Sequence, residues 1–318
     1  MVPCMLTRAL NLDVHLNWQH YKQIGLVDPE VPLLSLYDDL MGISEGESLL
    51  PAKVAYDEGW KSIDVPNTLV PHQRVRHPNG EMRLYIVWRD SGRTVLDYIN
   101  YFFGGKKIQR DKFNRFGQLA ISQYLGERGR VVKEDYYTPT GQRCLTRFFD
   151  ENQKIVLIQC FDVKTGAYQC FDNEDALVAE WLIRKFGESE GNTFLIDKNR
   201  SWVQPLGRLS QKTPQRLISI IHSHHIRAAS TDLMKGALNS NYVDVLTGKV
   251  KVDRCVVLTS QQQQDIQKRF VGMEYDLACI PHAQEASGDR AIKRDKDLLV
   301  ALWLGCRQKS VLRTWCTL

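Results

Sequence analysis

Four consecutive residues, His222, Ser223, His224 and His225, follow the apolar run Leu217–Ile221, and their types offer more chemistry than any other stretch of the chain. Imidazoles can donate, accept, carry charge near neutral pH or bind a metal. The run HSHH therefore admits three readings: contact with a ligand, ordinary capping and packing, or zinc. Zinc needs three or four convergent ligands with an orienting shell, and the chain has no HExxH or matching carboxylate motif. No metal and no cofactor is expected, and a metal-dependent hydrolase built on His222, His224 and His225 is the weakest of the readings. A second group, Asp197, Lys198, Asn199 and Arg200, follows the apolar run Thr193–Ile196. Lys198 or Arg200 could pair with a phosphate, and a solvated charged loop is the plain alternative. Asn241 and Tyr242 open a short helical stretch and have a purely structural reading as well.

These residues depend on the elements that carry them. Leu217–Ile221, Cys255–Leu258 and Leu277–Ile280 are short runs rich in Ile and Val, the pattern of buried parallel strands. Thr259 or Ser260 stands where a helix cap is needed, with Gln262 and Gln263 three residues on, so the second run leads into a capped helix and then a third strand. That is a βαβ unit, and open α/β sheets bind ligands at the carboxyl ends of their strands. The segment Asp175–Phe186 has helical spacing, as does Val14–Ile24, which Gly25 stops. Val31–Leu36 reads as a strand or short connection.

Between these α/β parts, from Arg74 to Asp172, short stretches alternate apolar and polar residues. Gly92, Gly117, Gly141 and Gly166 are 25, 24 and 25 residues apart, with further turns at Gly104, Gly129 and Asp150–Gln153. A turn about every 12 residues between alternating strands predicts an antiparallel meander. Trp88, Phe113, Tyr137 and Phe161 repeat with it and are expected to stack along one face. The expected divisions are 1–70 and 173–285 for one Rossmann-like α/β domain, 71–172 for the inserted meander, and 286–318 for a linker with the start of another domain.

Composition narrows the class. The chain has 318 residues, 43% hydrophobic and 25% charged, the profile of a globular protein large enough for two domains. It shows no cationic stretch leading into an apolar core and no apolar run of membrane-spanning length, so a cytoplasmic location is expected, with at most peripheral membrane contact. The eight cysteines form no CxxC pair, which favours reduced thiols over a disulfide framework. Between Val70 and Cys170 there are 17 Lys and Arg against 10 Asp and Glu. A basic surface on the meander would suit a polyanion, and cationic protection of sheet edges is the equal alternative.

The segments Ile221–His225, Asn241–Tyr242, Val256–Phe270 and Ile280–His282, in this order, resemble retaining glycosyltransferases of the two-Rossmann-domain class (GT-B, family 4 type). Within it they resemble the group that glycosylates wall teichoic acid or serine-rich adhesins. The resemblance implies an incomplete Rossmann-like N-terminal GT-B domain with an inserted antiparallel β-meander used for assembly or acceptor contact. It implies a hexosyltransferase (EC 2.4.1 type) taking a nucleotide-sugar, a UDP-sugar by expectation, and a polyol-phosphate polymer or serine-rich protein as acceptor, with no nucleic acid. His224 is its first choice for donor contact, with His222 and His225 beside it; Arg200, Lys198, Asn241 and Tyr242 are the substrate-binding candidates. The family's opening strand and glycine loop have no counterpart here, since VPCMLTRALN resembles its second strand. Asp297–Ala301 resembles the first strand of the second domain. One permitted codon choice for Trp303–Leu318 reads, in another frame, as ARLSPEKRLTDLVHA, which resembles the family's continuation. The expectation is a frameshifted fragment that lacks the second domain's Arg, Lys and paired Glu and is inactive alone. The rival is a non-catalytic subunit that uses the meander to bind an acceptor, a paralogue or a second copy of itself.

Overall fold

The computed structural model describes residues 3–43, 53–230, 232–281 and 299–302. The chain divides into two compact units: residues 1–9, 16–36 and 175–318, and residues 10–15 and 37–174. The first opens with β1 (Cys4–Thr7), α1 (Val14–Gln23) and β2 (Leu33–Ser35). Gly25 follows α1 with φ of 70°, a left-handed conformation that glycine adopts without the steric cost other residues meet there.

Besides residues 10–15, the second unit takes in α2 (Leu36–Met41) from Tyr37 onward and continues as ten strands: β3 (Lys61–Asp64), β4 (His72–Arg76), β5 (Met82–Trp88), β6 (Leu96–Phe103), β7 (Lys106–Phe113), β8 (Leu119–Leu125), β9 (Val131–Tyr137), β10 (Arg143–Phe149), β11 (Ile155–Phe161) and β12 (Tyr168–Phe171). They pair in strict sequence order into one antiparallel sheet. The expected meander is present, and the unit containing it is longer than the expected 71–172. The strand Lys61–Asp64 lies upstream of that range, where KSID shows too little apolar alternation to mark a strand.

One hairpin design recurs. His77, Asn114, Gly126, Thr138 and Asp150 each bond through the backbone to the residue four ahead, and the fourth residue of each loop is left-handed: Gly80, Gly117, Gly129, Gly141 and Gln153. Only the last lacks glycine, with φ of 62°. A Cβ at Gly141 would meet nothing within 4 Å, so Gly141→Ala should lose roughly 1 kcal/mol through backbone strain alone. Gln153→Gly relieves the same strain but gives up the two bonds its amide makes with the Val131 backbone, so its net effect should be smaller. Urea unfolding of the two variants checks the order.

Ladder register sorts the residues. One face carries Arg74, Tyr85, Asn100, Arg110, Gln123, Glu134, Arg147 and Ile158 in a row across the strands. The opposite face carries Ile86, Ile99, Asp111, Ser122, Asp135 and Thr146. On it, Val75, Leu84, Ile86 and Ile99 form a core with Trp88 and Leu96, and Phe113 packs against them. By this register the whole aromatic series lies on the second face: Trp88 and Phe113 join its core, Tyr137 stands two residues beyond Asp135, and Phe161, two beyond Gln159, is half-buried with Arg143 stacked 4.6 Å from its centroid. Other meander cations are engaged in the same way, Arg110 over Tyr98 and Lys133 over Tyr124.

The chain then returns to the first unit through α3 (Glu174–Phe186), β13 (Thr193–Ile196), α4 (Asn199–Lys212), β14 (Arg216–Ile221), α5 (Val243–Leu246), β15 (Arg254–Val257), α6 (Ser260–Arg269), β16 (Asp276–Cys279) and β17 (Leu299–Leu302). The sheet is parallel, in the order β16-β15-β14-β13-β17-β1-β2. The α/β expectation and its βαβ unit match this sheet. The expectation for Asp297–Ala301 does not: Leu299–Leu302 pairs between β1 and β13 within this sheet rather than opening another domain. The stretch tied to a frame change, Trp303–Leu318, lies outside the described residues, as does His282.

Burial explains the apolar runs. All four residues of β13 are buried, and Leu195, Ile220 and Val256 of neighbouring strands pack together on one face. Burial also pushes the Cys4 thiol up to about 11 and the Cys144 and Cys255 thiols up to about 12, which keeps them protonated and unreactive. In α4, Pro205 has no N–H for the Ser201 carbonyl four residues before it. Arg8, just past β1 and 8% exposed, donates Nη1 to that carbonyl and pairs with Asp175 at 2.7 Å.

Candidate functional site

The two chemical groups anticipated from sequence meet at the carboxyl edge of the parallel sheet. β13 and β14 are adjacent and in register, with Ile196 opposite Ser219, so Asp197, Lys198, Asn199 and Arg200 leave the sheet beside His222–His225. Asn199 fastens the two strand ends. It is 2% exposed, donates Nδ2 to the Ile220 carbonyl at 2.8 Å and accepts from Ser219 Oγ at 2.6 Å.

The three histidines have different surroundings. His222 is exposed on one side, and its Nδ1 lies 3.3 Å from Asp197 Oδ1. The bond to Asp197 raises its pKa from the usual value, against the opposing effects of burial and Lys198. His224 is exposed and stacks on His225 with centroids 5.5 Å apart. His225 is 1% exposed, and burial, His224 and Arg269 lower its pKa, so it stays neutral and belongs to the packing beneath the edge. Lys198 and Arg200 are both exposed at the start of α4. Asn241 is exposed and its N–H bonds to Asn239 Oδ1. Tyr242 is 1% exposed, its hydroxyl 2.8 Å from Ser223 Oγ and its ring edge-on to His222 at 6.3 Å, so it forms the wall under that imidazole.

The surrounding loops are held by residues whose roles sequence reading missed. Thr259 caps α6 by accepting from the Gln262 N–H, as expected, but Gln262 also donates Nε2 to the Ser223 carbonyl, and Gln263 donates to the Leu277 carbonyl. The glutamine run therefore ties helix to strand ends. Arg269, in the last turn of α6, donates to the Leu233 and Gly236 carbonyls and pins the loop that Ile226 and Leu238 close. For Asp197 and Asn199 the signal in the sequence is their place immediately after a buried strand, which a solvated loop would not need. The edge can thus present one histidine tied to a carboxylate, a second exposed imidazole and two exposed cations to a polar or anionic ligand. Among the described residues no group of three His, Cys, Asp or Glu side chains is arranged to hold a metal ion. No described helix is long and apolar enough to cross a membrane.

No protein-family model and no curated protein sequence matches the chain. Solved structures do. The crystal structure of TarM aligns with a TM-score of 0.69 at 15% identity, over 91% of this chain and 56% of that one. The Gap123 glycosylation-associated protein complex from Streptococcus agalactiae aligns at 0.61 and 13% identity, over 87% of this chain and 51% of its own. The pneumococcal O-GlcNAc transferase GtfA, solved with UDP and GlcNAc, aligns at 0.56 and 16%, over 88% of this chain and 60% of that one. The chain thus spans little more than half the length of these neighbours. The glycosyltransferase resemblance drawn from the histidine-rich strand end is matched at the level of architecture: this chain has the fold shared by TarM, GtfA and the Gap123 complex.

Proposed function

We propose that the chain is the donor- and acceptor-facing portion of a retaining GT-B hexosyltransferase. The donor is a nucleotide-sugar, a UDP-hexose or UDP-N-acetylhexosamine, and the acceptor a polyol-phosphate polymer or serine-rich protein. The observation that carries this reading is the carboxyl-edge cluster of His222, His224, Lys198 and Arg200. It sits on a fold shared with TarM, a variant of which has been solved with UDP and α-GlcNAc-glycerol, and with GtfA, solved with UDP and GlcNAc. Hydrogen-bond donors and cations at one edge suit a ligand that carries both hydroxyls and phosphates. In this reading the cations that neutralise departing diphosphate come from a second domain, and the chain alone binds without turnover. The meander would meet the acceptor or a partner.

The test is to measure UDP-GlcNAc binding by calorimetry and transfer of radiolabelled GlcNAc to poly(glycerol phosphate) or a serine-rich peptide. Saturable donor binding without transfer is the expected result. No binding of UDP-GlcNAc or UDP-glucose would sink the enzyme reading. Stable association with an intact glycosyltransferase in the absence of donor binding would instead favour a non-catalytic subunit. That alternative is supported by two neighbours being complexes, GtfA/B and Gap123.

A further inference from the structure

Of the three histidines, only His222 has a carboxylate against one ring nitrogen. Asp197 and His222 are the first residues beyond two adjacent strands, and their placement follows from the register of β13 and β14 rather than from a flexible loop. Asn199, two residues beyond Asp197, locks these strand ends through Ser219 and the Ile220 carbonyl. The ring is steered from another side by Tyr242, itself buried and tied to Ser223. With Nδ1 at 3.3 Å from Asp197 Oδ1 and the side chain 42% exposed, Nε2 is the nitrogen left for a ligand. A carboxylate on one imidazole nitrogen fixes the orientation of the ring and, by favouring its protonated form, makes the other nitrogen an N–H donor. The charged groups facing His222 are Asp197, which favours the protonated ring, and Lys198, which opposes it.

We propose that Asp197 is a positioning residue that holds His222 with Nε2–H presented to an anionic oxygen, making His222 rather than His224 the phosphate-contacting group of this edge. The proposal rests on the function proposed above for the identity of the ligand, a diphosphate ester. The Asp197–His222 unit itself is testable without any sugar.

Histidine-selective NMR titration of the full chain, assigned with His222→Gln, should show His222 titrating above the ordinary value near about 6.5. Asp197→Asn, which keeps the shape of the side chain, should bring that titration down. A raised folded-state pKa stabilises fully below the unfolded value and loses its effect as pH rises through the folded one. The stability lost in Asp197→Asn should therefore be largest below about pH 6.5 and fade above the His222 titration. Inorganic pyrophosphate should shift the His222 resonances, and Asp197→Asn and His222→Gln should each weaken its binding roughly tenfold. A merely structural Asp197 would change thermal stability and leave the His222 titration where it was. The proposal is overturned if Asp197→Asn leaves both titration and pyrophosphate affinity unchanged, or if pyrophosphate fails to perturb His222. Intact pyrophosphate binding with no UDP-sugar binding would count against the transferase reading and leave the Asp197–His222 unit standing.

Discussion

Replacing Arg8 with alanine should destabilise the chain by roughly 2–4 kcal/mol, and much of that loss should disappear when Pro205 is replaced as well. Arg8 is 8% exposed, and its guanidinium serves both Asp175 and the Ser201 carbonyl. Asp175 is 40% exposed and can rehydrate once the arginine is gone, so the ion pair itself accounts for the smaller part. Ser201 is different, because Pro205 gives its carbonyl no helical donor and the arginine is the substitute. Alanine at 205 restores an N–H in register with that carbonyl. Pro205→Ala should therefore stabilise the Arg8→Ala background more than the parent chain, with a coupling of about 1–2 kcal/mol. Urea unfolding of the four chains at constant m-value measures it. Additivity within about 0.5 kcal/mol would show that the guanidinium does not stand in for the missing backbone bond.

Asn199→Ala should cost roughly 3 kcal/mol, although it deletes only an amide. The side chain is buried with both ends satisfied, and its loss removes the bond to the Ile220 carbonyl and leaves the fully buried hydroxyl of Ser219 with only the weak Cys255 thiol as partner. A buried polar group left with only a weak partner does not recover the water it gave up, which is why the deletion costs more than the bonds' net worth. The double variant Asn199→Ala, Ser219→Ala removes the Ser219 hydroxyl and should recover about 1 kcal/mol. Because Asn199 joins the two strand ends, the single variant should also broaden or shift the His222 NMR signals. Full stability with unchanged His222 signals would refute the staple.

Much of this architecture was legible in the chain. Ile- and Val-rich runs marked the parallel strands because a strand covered on both faces must be apolar at successive positions, and all four residues of β13 are buried. Glycine spacing marked the meander because five of its hairpins place a left-handed residue at the fourth position of the loop, and four of those residues are glycine. Two elements escaped these signals. Gln153 occupies that position without glycine, and Lys61–Asp64 forms an exposed edge strand whose pairing leaves no hydrophobic trace.

What residue order determined by itself was periodic and local: which runs are strands, where Thr259 caps a helix, where the turns fall, and that histidines and cations gather at strand ends. The tertiary structure alone decided partnership. It placed Asp197 against His222, buried His225 so that it stays neutral, set Arg8 on the carbonyl freed by Pro205, and put Leu299–Leu302 between β1 and β13. Periodicity follows from each segment's own backbone geometry. These pairings depend on strand order and register, which join residues far apart in the chain, and they separate one carboxylate-held imidazole from two otherwise similar neighbours.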